Sequence, residues 1–169
     1  MSSQAPPHLS RETSVDGHEL RLVVNYLAPA MLARLLLPSL KNAPDARVIN
    51  IGSVGQSAVD IDDIEFRRDY NGAEAYFRSK FALAAFTLNG AEDFQKDNVL
   101  INCVHPATFM DTRMVREIGT RPWVSVRAGV RPVLRRATDR RLAGVTGKLF
   151  NGMHESRANS MIYDPQFRL

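Results

Sequence analysis

Two short apolar runs limit the fold more than any other feature: Arg47-Val-Ile-Asn-Ile51, and Val99-Leu-Ile-Asn-Cys-Val104, which Pro106 halts. Neither shows much polar alternation, the pattern of a strand buried on both faces of a parallel sheet. Between them, Asn71 and Glu74 have capping-box spacing and open a helix over about 73–96. Ahead of them, Asp16 and Glu19 have the same spacing before the longest apolar segment, 20–40. Pro29 is expected to kink or interrupt that helix, and Pro38 to begin its end. Ser125 is expected to cap a third helix reaching about Asp139, interrupted at Pro132, and 148–151 to form a last short strand. Helices alternating with buried strands imply βαβ units and the α/β class, here about three parallel strands with flanking helices. Residues 1–15 read as an N-terminal tail, 16–155 as the folded domain and 156–169 as a C-terminal tail. The long connection 52–72 is too irregular to assign.

Composition narrows the setting. The 169 residues are 44% hydrophobic and carry a net charge of +4, ordinary for one globular domain. No stretch approaches the roughly 20 apolar residues that cross a bilayer, so no membrane span is expected. Met1 to Ser10 has no signal-peptide core, and Cys103 is the only cysteine. A cytoplasmic, reducing setting fits. Nine arginines lie between Arg113 and Arg141. They suit either a phosphate-attracting patch or a solvated helix face, since Arg127, Arg131 and Arg135 are spaced i, i+4, i+8. The helix face is the simpler reading, and nothing else points to a nucleic-acid partner.

The chemistry-bearing pattern is Tyr76-x-x-x-Lys80 with Ser53 at the end of the first strand. Residues four apart share a helix face. An ammonium near the phenol is expected to lower its pKa, making Tyr76 a general acid–base near neutral pH. Ser53 can bond the same substrate oxygen at the strand end where α/β folds collect ligands. Asn25 can hold a relaying water, or be a plain polar helix residue. Tyr76 and Lys80 read alone are also an ordinary amphipathic pair. His105 reads first as a structural strand-end histidine. His8, His18 and His154 lack metal-ligand spacing, so no metal is expected. A Ser-His-Asp hydrolase fails, because Ser53 lies in Ile-Gly-Ser-Val-Gly rather than G-x-S-x-G.

Arg47-Val-Ile-Asn-Ile-Gly-Ser53, Tyr76-x-x-x-Lys80 and His105-Pro-Ala-Thr108 together resemble the short-chain dehydrogenase/reductase family, in its retinol-dehydrogenase-like or bacterial NAD(P)-dependent branch. The segment from Asp16 to Pro29 resembles the family's fourth-crossover helix, and Gly147 to Gly152 and Tyr163-Asp-Pro its C-terminal end. The resemblance implies the C-terminal part of a doubly wound, parallel-sheet Rossmann fold. It implies a catalytic set of Asn25, Ser53, Tyr76 and Lys80. Lys80 would also reach the nicotinamide ribose, with Pro106, Ala107 and Thr108 against the nicotinamide. The cofactor would be NAD or NADP, and the substrate a small carbonyl or alcohol exchanging a hydride. Helices 20–40 and 73–96 would be the surfaces for a homodimer or for pairing with an intact relative.

The family's opening strand and glycine-rich phosphate turn have no counterpart before Asn25. The expectation is therefore a truncated chain with weakened coenzyme binding and an exposed edge at 48–51. It would be an oxidoreductase portion, a dimerisation or assembly module, or a remnant without function. Three smaller departures bear on stability. Gly90 and Pro132 fall inside helices, at an expected cost of about 1 and about 3 kcal/mol. Gly52 stands where the family usually has serine and is expected to be harmless.

Overall fold

A computed structural model describes residues 10–165. Four strands form one sheet in the order β1 (Arg47–Ile51), β2 (Leu100–His105), β3 (Leu149–Asn151) and β4 (His154–Ser156). The first three are parallel and β4 is antiparallel to β3. The α/β, doubly wound architecture with a mostly parallel sheet is thus as read from the sequence, with one strand added. Two residues, Gly152 and Met153, link β3 to β4, and Gly152 has φ +55°. That positive φ is what a tight hairpin asks of glycine.

Strand alternation assigns the faces. Ile101 and Cys103 of β2 and Leu149 of β3 point into clusters with helix α3 (Gly72–Asn89), where Phe81, Ala82, Ala84, Ala85 and Phe86 are buried. Phe150, one residue on, faces the other way. Its ring carries the Arg136 guanidinium, 3.9 Å from the centroid, on helix α6 (Val126–Thr138). Helices therefore cover both faces. α6 runs unbroken through a buried Pro132, so the expected interruption does not occur.

The entry helix Leu20–Leu40 is continuous but not uniform: α1 (Leu20–Leu22), a π turn over Val23–Leu27, then α2 (Ala28–Leu40). The wide turn closes with the Ala28 N–H bonding the Val23 carbonyl five residues back. Pro29 follows at the start of the α segment, so the expected break becomes a π turn that takes up the missing N–H. The helix starts at Leu20 rather than after Asp16. Asp16-Gly17 is a turn, with Gly17 at φ +85°, and Glu19 is the cap, its carboxylate accepting the Leu22 N–H at 2.6 Å. By length and composition this 21-residue helix is apolar enough to cross a membrane, with mean hydropathy 1.5 over its most apolar window. Its unbroken apolar runs stop at Asn25 and Arg34, and a core helix passes the same test, so no clear membrane span is shown. In the fold its Ala30 and Ala33 pack with Phe86, Val99 and Ile101.

Helix 73–96 divides into α3 and α4 (Ala91–Lys96) at Gly90. A β-carbon there would lie 2.7 Å from the Phe86 carbonyl oxygen, so glycine is what the junction requires and not simply a cost. The cap at Asn71 is half a capping box: its Oδ1 accepts the N–H groups of Ala73 and Glu74, both at 3.0 Å. The Glu74 carboxylate turns to Ser57 Oγ (3.1 Å) and Arg78 Nε (3.2 Å) instead.

The segments expected as tails are partly built into the fold. Residues 1–9 and 166–169 lie outside the described residues. Arg11 donates to the Glu65 carbonyl at 3.3 Å, and the Leu20 N–H to Glu12 O at 2.9 Å. Beyond 156, Asn159 N–H bonds Gln56 Oε1 at 2.9 Å, and a short 3-10 turn, Ser160–Tyr163, puts Ile162 into the core at 2% exposure. Ile162 and the Asn159–Gln56 bond together hold this segment on the domain.

Connection 52–72 is held by charge. The Asp63 carboxylate accepts the backbone N–H groups of Arg67 (2.8 Å) and Arg68 (3.0 Å). Buried Glu19 accepts Tyr70 Oη–H at 2.9 Å, and Arg21 donates to the same hydroxyl. Asn71→Ala is expected to lower unfolding free energy by about 1 kcal/mol, the usual worth of such a cap, while Asn71→Asp retains it. Urea denaturation that moves the midpoint without changing the slope checks this.

Candidate active site

The C-terminal ends of β1 and β2 bring together most of the residues singled out from the sequence. Ser53 lies two residues past β1 and is buried, its Oγ accepting the Gly55 N–H at 3.0 Å. Tyr76, in the second turn of α3, lies beside the Ser53 side chain, which acts to lower its proton affinity. Lys80, one turn on, is 1% exposed and donates from Nζ to the Ile51 carbonyl at 2.9 Å. Its Nζ lies 5.7 Å from the centre of the Tyr76 ring.

Burial governs the proton affinities. It pushes the Tyr76 phenol above its usual range, and the Ser53 side chain only partly opposes it. This reverses the expected sign: the Lys80 ammonium is committed to a carbonyl and approaches the ring, so it does not pull Tyr76 down. Burial brings Lys80 itself down to about 8. The His105 imidazole is held below its ordinary value, first by burial and then by the Lys80 charge. The Cys103 thiol is pushed up to about 12 by burial, against the Lys80 charge and the N–H groups of Gly52 and Val104.

Asn25 is tied to Ser79. It sits in the π turn, and its Nδ2 donates to Ser79 Oγ at 3.0 Å. Ser79 in turn donates to the Tyr76 carbonyl at 2.7 Å. Asn25 Oδ1 is buried with no partner among the described residues, a polar atom suited to an ordered water. Pro106 is buried just beyond β2, Ala107 half-buried and Thr108 exposed. The Thr108 hydroxyl pairs with His105 Nε2 at 3.0 Å, the structural role first read for that histidine.

The following loop folds over on itself. Asp111 N–H bonds Val124 O and Trp123 N–H bonds Phe109 O, both at 2.9 Å. The Phe109 and Trp123 rings meet edge to face at 4.8 Å. A shallow hollow of about 650 Å³ near Phe77 is lined by Asp60, Asp63, Arg68, Glu74 and Arg78, and Ser53, Tyr76 and Lys80 do not line it.

Two features escaped the sequence reading. Ser79 is the link from Asn25 to α3. Gly52 is not only harmless but required: a β-carbon on it would overlap the Cys103 sulfur. Their distance in the chain hid the second contact, although the β1–β2 register could have suggested it.

The profile of the short-chain dehydrogenases matches residues 6–123, more than half of the chain. The chain belongs to the short-chain dehydrogenase family. Within that family it is similar to human retinol dehydrogenase 13, with 31% identity over 170 residues, covering 88% of this chain and 49% of that protein. Human retinol dehydrogenase 12 is 36% identical over 95 residues, covering 55% and 30%. The chain spans about half the length, or less, of these curated relatives. Among solved structures, an uncharacterized protein from Mycobacterium Paratuberculosis superposes with TM-score 0.71 at 20% identity, covering 94% of this chain and 57% of that one. NADPH-bound carbonyl reductase from chicken fatty liver gives TM-score 0.62 at 22% identity, covering 90% and 60%. At these identities the structures show the fold alone.

The residues present fit the nicotinamide end of the family's cofactor: a buried amine, a phenol and hydroxyl at the strand ends, and an exposed Thr108. No glycine-rich turn between a strand and a helix N-terminus offers a pyrophosphate seat among the described residues. The pH dependence of stability follows from the buried pair. The unfolded chain holds its lysine proton up to an ordinary 10.5, while folded Lys80 releases it from about 8. Between those values the unfolded state binds more protons, so stability rises with pH. Cys103 acts oppositely above its ordinary 9, because the folded thiol keeps its proton to about 12. Stability is therefore expected to climb from about pH 8 to 9 and then level. Denaturation titrations should show the climb continuing further in Cys103→Ala and absent in Lys80→Met.

Proposed function

We propose that this chain carries the proton-transfer site of an oxidoreductase of the short-chain dehydrogenase type, acting on a small carbonyl or alcohol. The observation that carries the reading is the half-buried Tyr76 phenol beside Ser53 at the strand ends, with Lys80 buried one turn behind it and tied to the Ile51 carbonyl. A substrate oxygen bonded to both hydroxyls would be stabilised by them as it gains negative charge towards an alkoxide. Tyr76 then gives up its phenolic proton in reduction and takes one back in oxidation. At neutral pH it carries its proton, as the acid must. Ser53 orients the oxygen, and Lys80 places a positive charge behind the ring. Asn25, through Ser79, fixes the backbone of α3 at Tyr76 and presents an unpartnered oxygen to water.

NAD or NADP would supply or accept the hydride. Lys80, Tyr76 and the segment Pro106, Ala107 and Thr108 are the residues that would meet its nicotinamide end. Of the solved neighbours, carbonyl reductase from chicken fatty liver holds NADPH and 4-hydroxyisoleucine dehydrogenase holds NADH. This reading includes a cytoplasmic setting, supported by one buried, unpaired cysteine. Tyr76→Phe is expected to lower the rate of coenzyme-dependent carbonyl reduction by roughly 10²–10⁴-fold while the fold persists. A variant as fast as the wild type under saturating coenzyme would end the reading.

A second reading, assembly, is favoured by the outer face of the entry helix. Met31, Leu32, Leu35 and Leu36 are all exposed, Leu35 at 68%. Contiguous apolar surface of this kind marks an interaction face. Through helices 20–40 and 73–96 the chain would pair with itself or with an intact relative. Light scattering should show a mass above that of one chain, lost in Leu35→Glu. An unchanged monomer mass, alone and on mixing with a full-length homologue, excludes the idea.

A further inference from the structure

Gly52, Cys103 and Lys80 converge on one spot beneath the candidate site. Gly52 is buried immediately after β1, and its N–H bonds the Val104 carbonyl at 2.9 Å. The Cys103 side chain is fully buried and fills the place a β-carbon on residue 52 would take. The peptide that ends at Gly52 begins with the Ile51 carbonyl, the acceptor of Lys80 Nζ at 2.9 Å. The amine and the sulfur are electrostatic neighbours. Peptide 51–52 is thus pinned from two sides, by an ammonium from α3 and by a sulfur from β2. Ser53 follows it directly.

We propose that Cys103 is a positioning residue, whose sulfur, seated in the notch left by Gly52, holds the Ile51–Ser53 backbone where Lys80 and Ser53 both need it. This deepens the reading of Lys80 and Ser53 given above and rests on it. The sulfur acts by bulk, because the thiol keeps its proton up to about 12, well above the point where Lys80 titrates. The other titratable groups facing Lys80 are Tyr76, from its own helix, and His105, from β2. Residues 52 and 103 form a matched pair: glycine with cysteine, or a larger residue at 52 only with a smaller one at 103.

The test reads Lys80 directly. The chain has four lysines, so carbon-13 lysine NMR resolves them, and the Lys80 signal is assigned by its loss in Lys80→Met. In Cys103→Ala the emptied space admits water to the ammonium, and the Lys80 midpoint is expected to rise by about one unit, a tenfold change in proton affinity. Gly52→Ala is expected to displace peptide 51–52 and shift the midpoint as well. In Gly52→Ala/Cys103→Ala the new methyl takes the place of the sulfur, and the midpoint returns more than halfway to wild type. An unmoved midpoint in Cys103→Ala overturns the proposal, and so does a double variant no nearer to wild type than Cys103→Ala. Should Gly52→Ala not fold, the other two variants still decide. The readout needs no turnover, so an active Tyr76→Phe would defeat the catalytic reading without touching this one.

Discussion

A positive charge buried between a helix and a sheet is the constraint around which the site is arranged. Desolvating an ammonium costs several kcal/mol unless strong acceptors replace water. Lys80 finds one in the Ile51 carbonyl. That contact is reachable because Ala82, Ala84 and Ala85 leave little bulk between α3 and the strands. Two turns on, the same side of α3 makes a second polar link, Asn50 Nδ2 to Thr87 Oγ1 at 2.8 Å. With both in place the helix can neither rotate nor slide. Tyr76, four residues before Lys80, is then carried to the strand end where Ser53 emerges.

The parts legible in the sequence were those with local signatures. β2 announced itself by lack of alternation and is buried on both faces, and the α3 cap was announced by Asn71; β1, with the same pattern, is only half-buried apart from Asn50. The Tyr76–Lys80 spacing put both residues on the sheet side because a helix face is fixed by period alone. What the sequence hid was decided by neighbours far along the chain. Gly90 looked costly until the Phe86 carbonyl was found against it. Pro29 looked like a break, but a π turn just upstream took up the mismatch. β4 is only three residues, too short for any pattern, and depends on the hairpin at Gly152. Tyr76 was given the wrong sign because spacing says that a lysine is near, not which atom it bonds.

The same sheet explains the apolar surface. β1 pairs with β2 on one side only among the described residues. On α6 an exposed row, Val126, Val130 and Leu134, runs beside the buried row of Gly129, Pro132 and Arg136. An apolar row set to the side of a helix, rather than opposite its core face, suits a neighbour in the same layer. The outermost positions carry Arg127 and Arg131. Other arginines of this segment are spent locally: Arg116 on Asp111, Arg113 on Glu117, and Arg135 and Arg141 on Asp139. Along this segment a solvated face is thus interleaved with ion pairs.

The direction of the Tyr76 shift has a chemical meaning of its own. A phenol pulled down by an adjacent ammonium would be partly ionised at neutral pH and serve as a base first. Burial instead holds Tyr76 protonated, and the same burial weakens the hold of Lys80 on its proton. Both shifts reduce charge in the site while no substrate is present. A developing alkoxide changes that balance, because it favours the ammonium and draws on the phenolic proton together. On the proposed reading Tyr76 is neutral and Lys80 still mostly protonated at neutral pH, so the positive charge that would meet a developing alkoxide is already in place. Electrostatic stabilisation that strengthens along the reaction in this way raises the rate of the chemical step rather than the affinity for substrate.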